Sequence, residues 1–418
     1  MTTQAVPHPS LHLPPPQELL DPVRESVHGP LREPVAHRGL RVPVGILGSG
    51  VHIPGTVVTN ADMEAVLDTS DAWITSRTGV RERRYLEPGR NTSDMCVSAA
   101  EAALADSGTA AAELDAIVIA TFTHDQPLPS TALIVKEALG AHHALPLDLN
   151  QAACAGGVYG ILTAGHLLQS DGFRKVLVIG AECLSRVTDP EDRGTRVFFG
   201  DAAGAVVVGR TAPGCGLLSW DVGSALSYSV EVPAGGTRRP AGPDTLAERG
   251  HYLKMDGRVV WTEATSRLPA SIRAAVARAG LTVDQVDHFF LHQANLNIVR
   301  EVTTALGVPA DRAPTTVERL GNTGAATVFT VLDLAMRESR VAPGDILVVS
   351  AIGAGFLWGS LCLRQGPRPA GTAGAAATAA GAAAAIPPGS VPEALPVSDP
   401  APAAAVPGSA NDPRHTGA

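Results

Sequence analysis

Ala102-Ala103-Leu104-Ala105-Asp106-Ser107-Gly108 runs on to Asp115 and then to Ala116-Ile117-Val118-Ile119-Ala120. Much later, Ala274-Ala275-Val276-Ala277-Arg278-Ala279-Gly280 runs on to Asp287, then to His288-Phe289-Phe290-Leu291 and His292. In both stretches the aspartate stands seven residues after the glycine. Each reads as an alanine-rich helix, a glycine stop, a short link and a buried strand. A period this long is the mark of a duplicated unit.

A second matched pair follows in the same order. Lys175-Val176-Leu177-Val178-Ile179-Gly180-Ala181 corresponds to Asp345-Ile346-Leu347-Val348-Val349-Ser350-Ala351. Each is a β-branched run after a helical stretch, 158–169 in one case and 325–337 in the other. The loop before the first helix is Ala153-Cys154-Ala155-Gly156-Gly157, and before the second Gly321-Asn322-Thr323-Gly324. From Cys154 to Lys175 is 21 residues and from Asn322 to Asp345 is 23. The pattern predicts Cys154 and Asn322 at equivalent helix starts. Duplicated α/β halves bury their sheets between helices. The expected fold is α/β, with five layers: two mixed sheets, a shared helix pair between them and helices outside.

Composition bounds the folded part. Of the 418 residues 45% are apolar, enough for a large core. All four Trp, four Tyr and eight Phe fall between Trp73 and Trp358. Residues 1–40 read as a disordered Pro-rich extension and 366–418 as a disordered Ala/Pro-rich tail, because neither can offset ordering entropy by burial. Ala375–Ala385 has helix propensity but is too short to hold a helix alone. The remainder divides at 212/213 into two halves, 41–212 and 213–365. The net charge of −9 argues against a nucleic-acid partner, which asks for a basic stripe. Five widely spaced cysteines without Cys-x-x-Cys argue against a disulfide framework and a zinc site. No apolar run reaches the ~20 residues of a membrane span, and no signal-peptide core is present, so the expectation is a soluble cytoplasmic protein.

Three residues carry the candidate chemistry. Cys154 stands at a helix start, where the positive dipole end favours thiolate. A lone cysteine of this kind is more often an inert buried residue. His292 ends a buried strand, a place where most histidines are satisfied core residues. Asn322 alone reads as a turn residue. Together, on loops of two halves that face a common centre, they suit thioester chemistry. A thiolate accepts the acyl group, and imidazole and amide donate hydrogen bonds to a second thioester carbonyl. Asn can donate there, whereas an ionised Asp only accepts. Gly200-Asp201-Ala202-Ala203-Gly204 lacks the Gly-Lys-Ser/Thr ending of a phosphate loop and reads as a tight turn.

At these residues the chain resembles the β-ketoacyl-acyl carrier protein synthase III enzymes of the thiolase superfamily, from about residue 44 to 363. The resemblance rests on nine ordered motifs, among them Trp73-Ile74-Thr75-Ser76-Arg77-Thr78-Gly79, Ala153-Cys154-Ala155-Gly156, Asp192-Arg193-Gly194-Thr195, Tyr252-Leu253-Lys254-Met255-Asp256-Gly257, His292-Gln293-Ala294-Asn295 and Gly321-Asn322-Thr323. It implies a thiolase-like five-layered αβαβα fold with Cys154 as nucleophile and a Cys-His-Asn site. It implies an oxyanion hole at the N–H groups of Cys154 and Ala354, and coenzyme A contacts at Trp73, Arg77 and Arg193. It further implies an acyl carrier protein surface at Gln293, Ala294, Asn295, Leu296 and Asn297, and a homodimer in which Leu128 reaches the partner's acyl pocket. No metal or redox cofactor is implied; coenzyme A enters as a substrate thioester.

The match has departures. A family triple glycine is Gly353-Ala354-Gly355 here, so the donor at Ala354 survives only if its φ is not positive. A family phenylalanine is Ile352. Basic positions of the carrier surface are Asn297, Thr262, Thr304 and Ala305, with Arg300 and Arg267 as partial replacements. The implied reaction is a decarboxylating Claisen condensation of an acyl-CoA starter with malonyl-acyl carrier protein. The rivals are an acyltransferase of the same fold acting on an alcohol or amine, and a non-catalytic acyl-CoA-binding scaffold.

Overall fold

The computed structural model describes residues 39–150 and 153–368. The extension expected at 1–40 lies outside these, apart from Gly39 and Leu40, as does the tail apart from 366–368. The run Ala375–Ala385 lies outside altogether.

In the first half the chain forms β1 (Val44–His52), β2 (Thr56–Thr59), α1 (Asn60–Glu64), α2 (Asp71–Thr78), β3 (Glu82–Tyr85), α3 (Thr92–Ser107), β4 (Ala116–Ala120), α4 (Thr131–Ala138), β5 (Leu145–Asp148), α5 (Gly156–Leu167), β6 (Lys175–Cys183) and β7 (Asp201–Arg210). The second half continues with β8 (Gly216–Ser224), β9 (Val230–Glu231), α6 (Pro243–Ala247), β10 (Lys254–Met255), α7 (Gly257–Arg278), β11 (His288–Leu291), α8 (Leu296–Leu306), α9 (Val317–Leu320), α10 (Thr327–Arg337), β12 (Ile346–Gly353) and β13 (Leu357–Arg364).

The larger sheets show the duplication. One runs β1-β7-β6-β4-β5 and the other β8-β13-β12-β11. Reading from β4, the pairings are parallel to β6, antiparallel to β7 and antiparallel to β1. Reading from β11, they are parallel to β12, antiparallel to β13 and antiparallel to β8. Among the described residues, strand β5 has no counterpart in the second sheet. Every residue of β4 and β12 is buried, as expected for strands covered on both faces.

The layers follow from which apolar faces meet. Helices α5 and α10 lie between the sheets, where Val158, Ile161, Val328 and Phe329 join Val118, Val178 and Val349 in one core. On the outer side of the first sheet, Cys96, Ala99 and Ala103 of α3 and Val135 of α4 cover Ile117, Leu177 and Val207. On the outer side of the second, Leu268 and Ile272 of α7 and Val302 of α8 cover Phe289 and Val348. This is the five-layered arrangement read from the repeat. The central core draws on both halves, and full burial of Phe290 and Phe329 contributes about 2–3 kcal/mol each.

Two local readings are corrected. Asp201–Gly204 is not a turn but the start of β7, with Asp201 accepting from the N–H groups of Leu86 and Ser185. Burial on both faces makes this glycine- and alanine-rich run a strand. The 3-10 turns that open the central helices are Ala153–Ala155 and Gly324–Ala326. Cys154 therefore sits inside its turn, while Asn322 sits just ahead of the matching one. The loops are equivalent but the two residues are not. Close approach of the halves depends on Gly180 of β6, where a Cβ would lie 2.3 Å from the Ala325 carbonyl oxygen.

Candidate active site

The turns that open α5 and α10 meet the end of β11 at a cavity of about 520 Å³, lined among others by Cys154, His292, Asn322 and Ala354. Leu184, Phe199, Leu253 and Met255 supply apolar wall beside them. The sequence thus brings all three candidate reactive side chains to one space, from loops of both halves.

Cys154 follows Ala153, whose φ of 42° lies in the left-handed region that alanine avoids. Holding it there costs about 1–3 kcal/mol, and the turn thereby aims the thiol toward the cavity at the start of α5. The expected depressed pKa is overturned. Burial pushes the Cys154 thiol up to about 12, with the charge of Glu182 a second cause. Desolvation thus acts against the pull of the helix terminus on the same thiol.

His292 is 3% exposed and follows β11, with its N–H donating to Ser350 O at 2.8 Å. Its Nδ1 lies 2.6 Å from Thr327 Oγ1, which lies 2.9 Å from Gly324 O. Burial lowers its pKa to about 3, so the ring is neutral across the physiological range. Asn322 is fixed by an isolated bridge to Phe199: its N–H donates to Phe198 O at 2.8 Å and its carbonyl accepts from Gly200 N at 3.0 Å. Its side-chain Oδ1 accepts from Gly324 N at 2.9 Å, which leaves the Nδ2 group as the donor end. Among the described residues, the non-glycines with positive φ are Ala153, Arg249 and Ser339. Ala354 is not one of them, so its N–H is placed without the strain that the missing glycine would have relieved.

The expected coenzyme A residues lie on one surface. Ser70 caps α2, accepting from Trp73 N at 3.2 Å, and Trp73 and Arg77 fall one turn apart. The guanidinium of Arg193 lies over the Trp73 ring, 5.4 Å from its centroid, and Arg193 Nη1 donates to Asp68 O at 2.7 Å. In this structure Arg193, rather than Arg77, stacks on the indole.

The segment expected to meet a carrier protein is partly internal. Gln293 is wholly buried; its Nε2 donates to Leu291 O at 2.8 Å and its Oε1 accepts from Thr316 N at 3.1 Å. Leu296 is buried, and a Cβ on Gly79 would lie 2.4 Å from its Cβ. Asn295 and Asn297 both donate to Arg77 O at 3.0 Å, bracing the start of α8 against the end of α2. Ala294 lines the cavity. Burial removes Gln293 and Leu296 from any docking surface. Arg267 is committed to Glu263 at 3.0 Å and stacks on Trp358 at 4.5 Å, whereas Arg300 is exposed. Leu128 is 83% exposed and stands apart from its own chain's cavity lining.

Sequence reading passed over Glu182 and Thr327. Glu182, one residue before the end of β6, has its carboxyl buried, accepting from Phe122 N at 3.3 Å and Thr123 N at 3.2 Å. Burial raises its pKa to about 8 against those hydrogen bonds. An acid at the end of an apolar strand, Gly180-Ala181-Glu182-Cys183, was the available sign. Thr327 had none, since its contact with His292 spans 35 residues. Among the described residues no cluster of His, Cys, Asp and Glu could hold a metal ion. No described helix is long and apolar enough to cross a membrane.

Two duplicated halves around a half-buried Cys and a buried His and Asn define a thiolase-like α/β enzyme. Residues 147–225 match the family model described as 3-oxoacyl-[acyl-carrier-protein (ACP)] synthase III, and residues 276–365 match its C-terminal counterpart. A beta-ketoacyl-[acyl-carrier-protein] synthase III of Symbiobacterium thermophilum is 42% identical over 326 residues, 78% of this chain and 98% of that protein. One of Desulfitobacterium hafniense is 40% identical over 329 residues, 78% of this chain and 99% of the relative. The crystal structure of a synthase III from Thermus thermophilus superposes with a TM-score of 0.72 at 36% identity, covering 77% of this chain and 99% of the other. A priming β-ketosynthase of a polyketide biosynthetic pathway gives 0.72 at 32% identity, covering 80% and 100%. The chain belongs to the β-ketoacyl-[acyl-carrier-protein] synthase III family.

Proposed function

We propose that the chain starts fatty acid or polyketide chains by decarboxylating condensation, with Cys154 as nucleophile and acyl-CoA and malonyl-acyl carrier protein as substrates. As an acyltransferase it works in two halves. Cys154 Sγ attacks the acyl-CoA carbonyl, and its proton leaves with the coenzyme A sulfur as a free thiol. The N–H groups of Cys154 and Ala354 hold the developing oxyanion. Malonyl thioester then loses CO2, while His292 and Asn322 hold the carbonyl that becomes an enolate. The enolate carbon attacks the acyl-Cys154 carbonyl, and the departing Cys154 sulfur takes a proton from solvent.

The observation that carries this reading is the convergence of Cys154, His292 and Asn322 on one cavity, with the Asn322 amide turned so that Nδ2 is its donor end. Trp73 and Arg193 supply a stacking surface suited to adenine, and Arg77 a nearby charge for phosphate. Coenzyme A enters and leaves as substrate, so no resident cofactor belongs to the reaction. We place the enzyme in the cytoplasm as a homodimer in which Leu128 of one copy closes the acyl pocket of the other. A leucine there leaves more room than an aromatic side chain, which favours branched or four- to five-carbon starters over acetyl.

The test is intact-mass measurement with a panel of acyl-CoAs, with and without malonyl-carrier. An acyl adduct on Cys154 that is discharged as a 3-oxoacyl-carrier is expected. An adduct that survives in Cys154→Ala sinks the assignment. The acyltransferase reading keeps one observation in its favour: Asn297, Thr262, Thr304 and Ala305 leave the carrier-facing rim poor in charge. Discharge to a small alcohol or amine, without CO2 release, would select it.

A further inference from the structure

Helix α6 ends in a Schellman motif: Gly250 N donates to Thr245 O at 2.9 Å and Arg249 N to Leu246 O at 2.9 Å. That motif places the residue after the cap in the left-handed region, where glycine stands without strain. Here the residue is Arg249, at a φ of 56°. Its guanidinium grips one carboxylate with two prongs: Nε donates to Asp189 Oδ2 at 2.8 Å and Nη2 to Asp189 Oδ1. Nη1 lies 3.3 Å from Glu191 Oε2. Asp189 is buried and also accepts from Glu191 N at 2.9 Å. The Arg249 hydrogen bonds hold its carboxyl down to about 2, so the pair stays charged across the physiological range. The pair joins two walls of the cavity. Arg249 belongs to residues 232–253, which connect β9 to β10 and from which Val232, Pro233, Gly236, Arg238 and Arg239 line the cavity. This segment is mostly exposed and closes on itself: Ala234 N donates to Gly250 O at 2.9 Å, and Arg239 pairs with Glu248. Asp189 belongs to a firmer stretch of the first half. There Thr188 Oγ1 donates to Leu184 O at 2.7 Å, and Leu184 is itself cavity wall.

We propose that Arg249 is a positioning residue that fastens the 232–253 wall to Asp189 and so limits the size of acyl group the cavity admits. An arginine in a glycine position is strained, and a strained residue persists where its surroundings hold it. The two-pronged contact is what holds this one. Without the guanidinium, α6 and its turn remain, but the wall loses its grip on the first half. The cavity is then bounded less closely on that side, and acyl groups of different length are told apart less well. The inference deepens the proposed condensation, since it takes the cavity to hold the acyl group; the fastening itself does not depend on the reaction.

The test uses the full chain as wild type, Arg249→Ala, Arg249→Gly, Asp189→Asn and the Asp189→Asn, Arg249→Gly double variant. Acylation of Cys154 by acyl-CoAs of two to ten carbons is followed by intact mass, and kcat/KM is taken for each. The spread between the best and the worst acyl-CoA should narrow by about tenfold in Arg249→Ala, the scale on which a pocket sorts hydrocarbon groups. Arg249→Gly should melt about 1–3 °C above Arg249→Ala, because glycine relieves the backbone, yet show the same narrowed spread. Asp189→Asn should narrow it in the same way, and the double variant no further, since both changes break one contact. A spread that returns to the wild-type value in Arg249→Gly along with the melting temperature overturns the proposal. So does a uniform loss on every acyl-CoA, an unchanged spread in the variants, or a wild type that takes two- to ten-carbon groups alike. If Arg249→Ala does not fold, Arg249→Gly and Asp189→Asn decide. A wild type that takes no acyl-CoA sinks the condensation reading instead, and the fastening is then read from hydrogen exchange. There Arg249→Gly should speed exchange at the Ala234 and Gly235 N–H groups about tenfold and leave β7 unchanged. Unchanged exchange at those two groups overturns the fastening.

Discussion

Glu182 and His292 are both buried at the site and make opposite demands on pH. The Glu182 pKa is raised from 4.5 to about 8 in the folded chain. Its contribution to stability is fully present below 4.5 and is lost as pH rises through about 8. His292 is lowered from 6.5 to about 3, so the folded chain resists its protonation, and stability is lost as pH falls below 6.5. Of these two groups, Glu182 is the one that acts between 6.5 and 8. Urea denaturation across that window should show wild type weakening, at a limiting slope of about 1.4 kcal/mol per pH unit, and Glu182→Gln staying level. A flat wild-type profile would count against the raised carboxyl. Glu182 also bears on Cys154, whose thiol is pushed up first by burial and then by the Glu182 charge. Alkylation of Cys154 by iodoacetamide should keep climbing past pH 8 with no plateau near neutrality. Above pH 8, where Glu182 ionises, Glu182→Gln should react faster than wild type. A rate that levels off near pH 7 would restore the low-pKa thiolate that the helix start alone suggested.

At the scale of elements, the repeat was legible because helix, glycine stop and buried strand leave a composition pattern that survives duplication. The strand runs at 116–120, 175–181, 288–291 and 346–351 all fall within sheet strands of the fold. What stayed hidden depends on packing between the halves. Nothing in Gly321-Asn322-Thr323-Gly324 tells that Asn322 is ahead of its turn while Cys154 is inside its own. Nor does His-Gln-Ala-Asn reveal that Gln293 points inward to Thr316, because both contacts cross long sequence separations. Gly180 is where these facts meet. It sits on β6 directly under the Gly324–Ala326 turn, and a side chain there would strike backbone, which cannot swing aside as a flexible side chain can. Gly180→Ala should therefore lower stability by about 1–3 kcal/mol. It should also displace the Asn322 loop, reducing CO2 release from malonyl thioester more than acylation of Cys154. If both half-reactions and the urea midpoint match wild type, the halves are not braced at this point.

At the scale of the whole molecule, the relatives set the expectation. The Symbiobacterium synthase is matched over 98% of its own length by 78% of this chain. The sequence reading sets the edges of the folded unit at 41 and 365; among the described residues, side chains just beyond both edges make contacts with it. Leu40 packs against the central core beside Gly165, so cutting at 41 removes apolar burial there. At the other end, Arg368 pairs with Asp106 on α3, the same carboxylate that accepts from Ser49 N at 2.9 Å, and Gly366 lies against Thr211. Each contact is modest: about 1 kcal/mol for the part-buried ion pair and about 1 kcal/mol for the leucine. A chain spanning 39–368 should melt within a few degrees of the full-length protein and keep Cys154 acylation. A chain spanning 41–365 should melt about 2–5 °C lower, since a loss of this size moves the midpoint of a large domain only slightly. Arg368→Ala in the 39–368 chain separates the two edges and should account for about half of that drop. Equal melting temperatures for 39–368 and 41–365 would show that Leu40 and Arg368 lie on the surface of the folded unit without holding it.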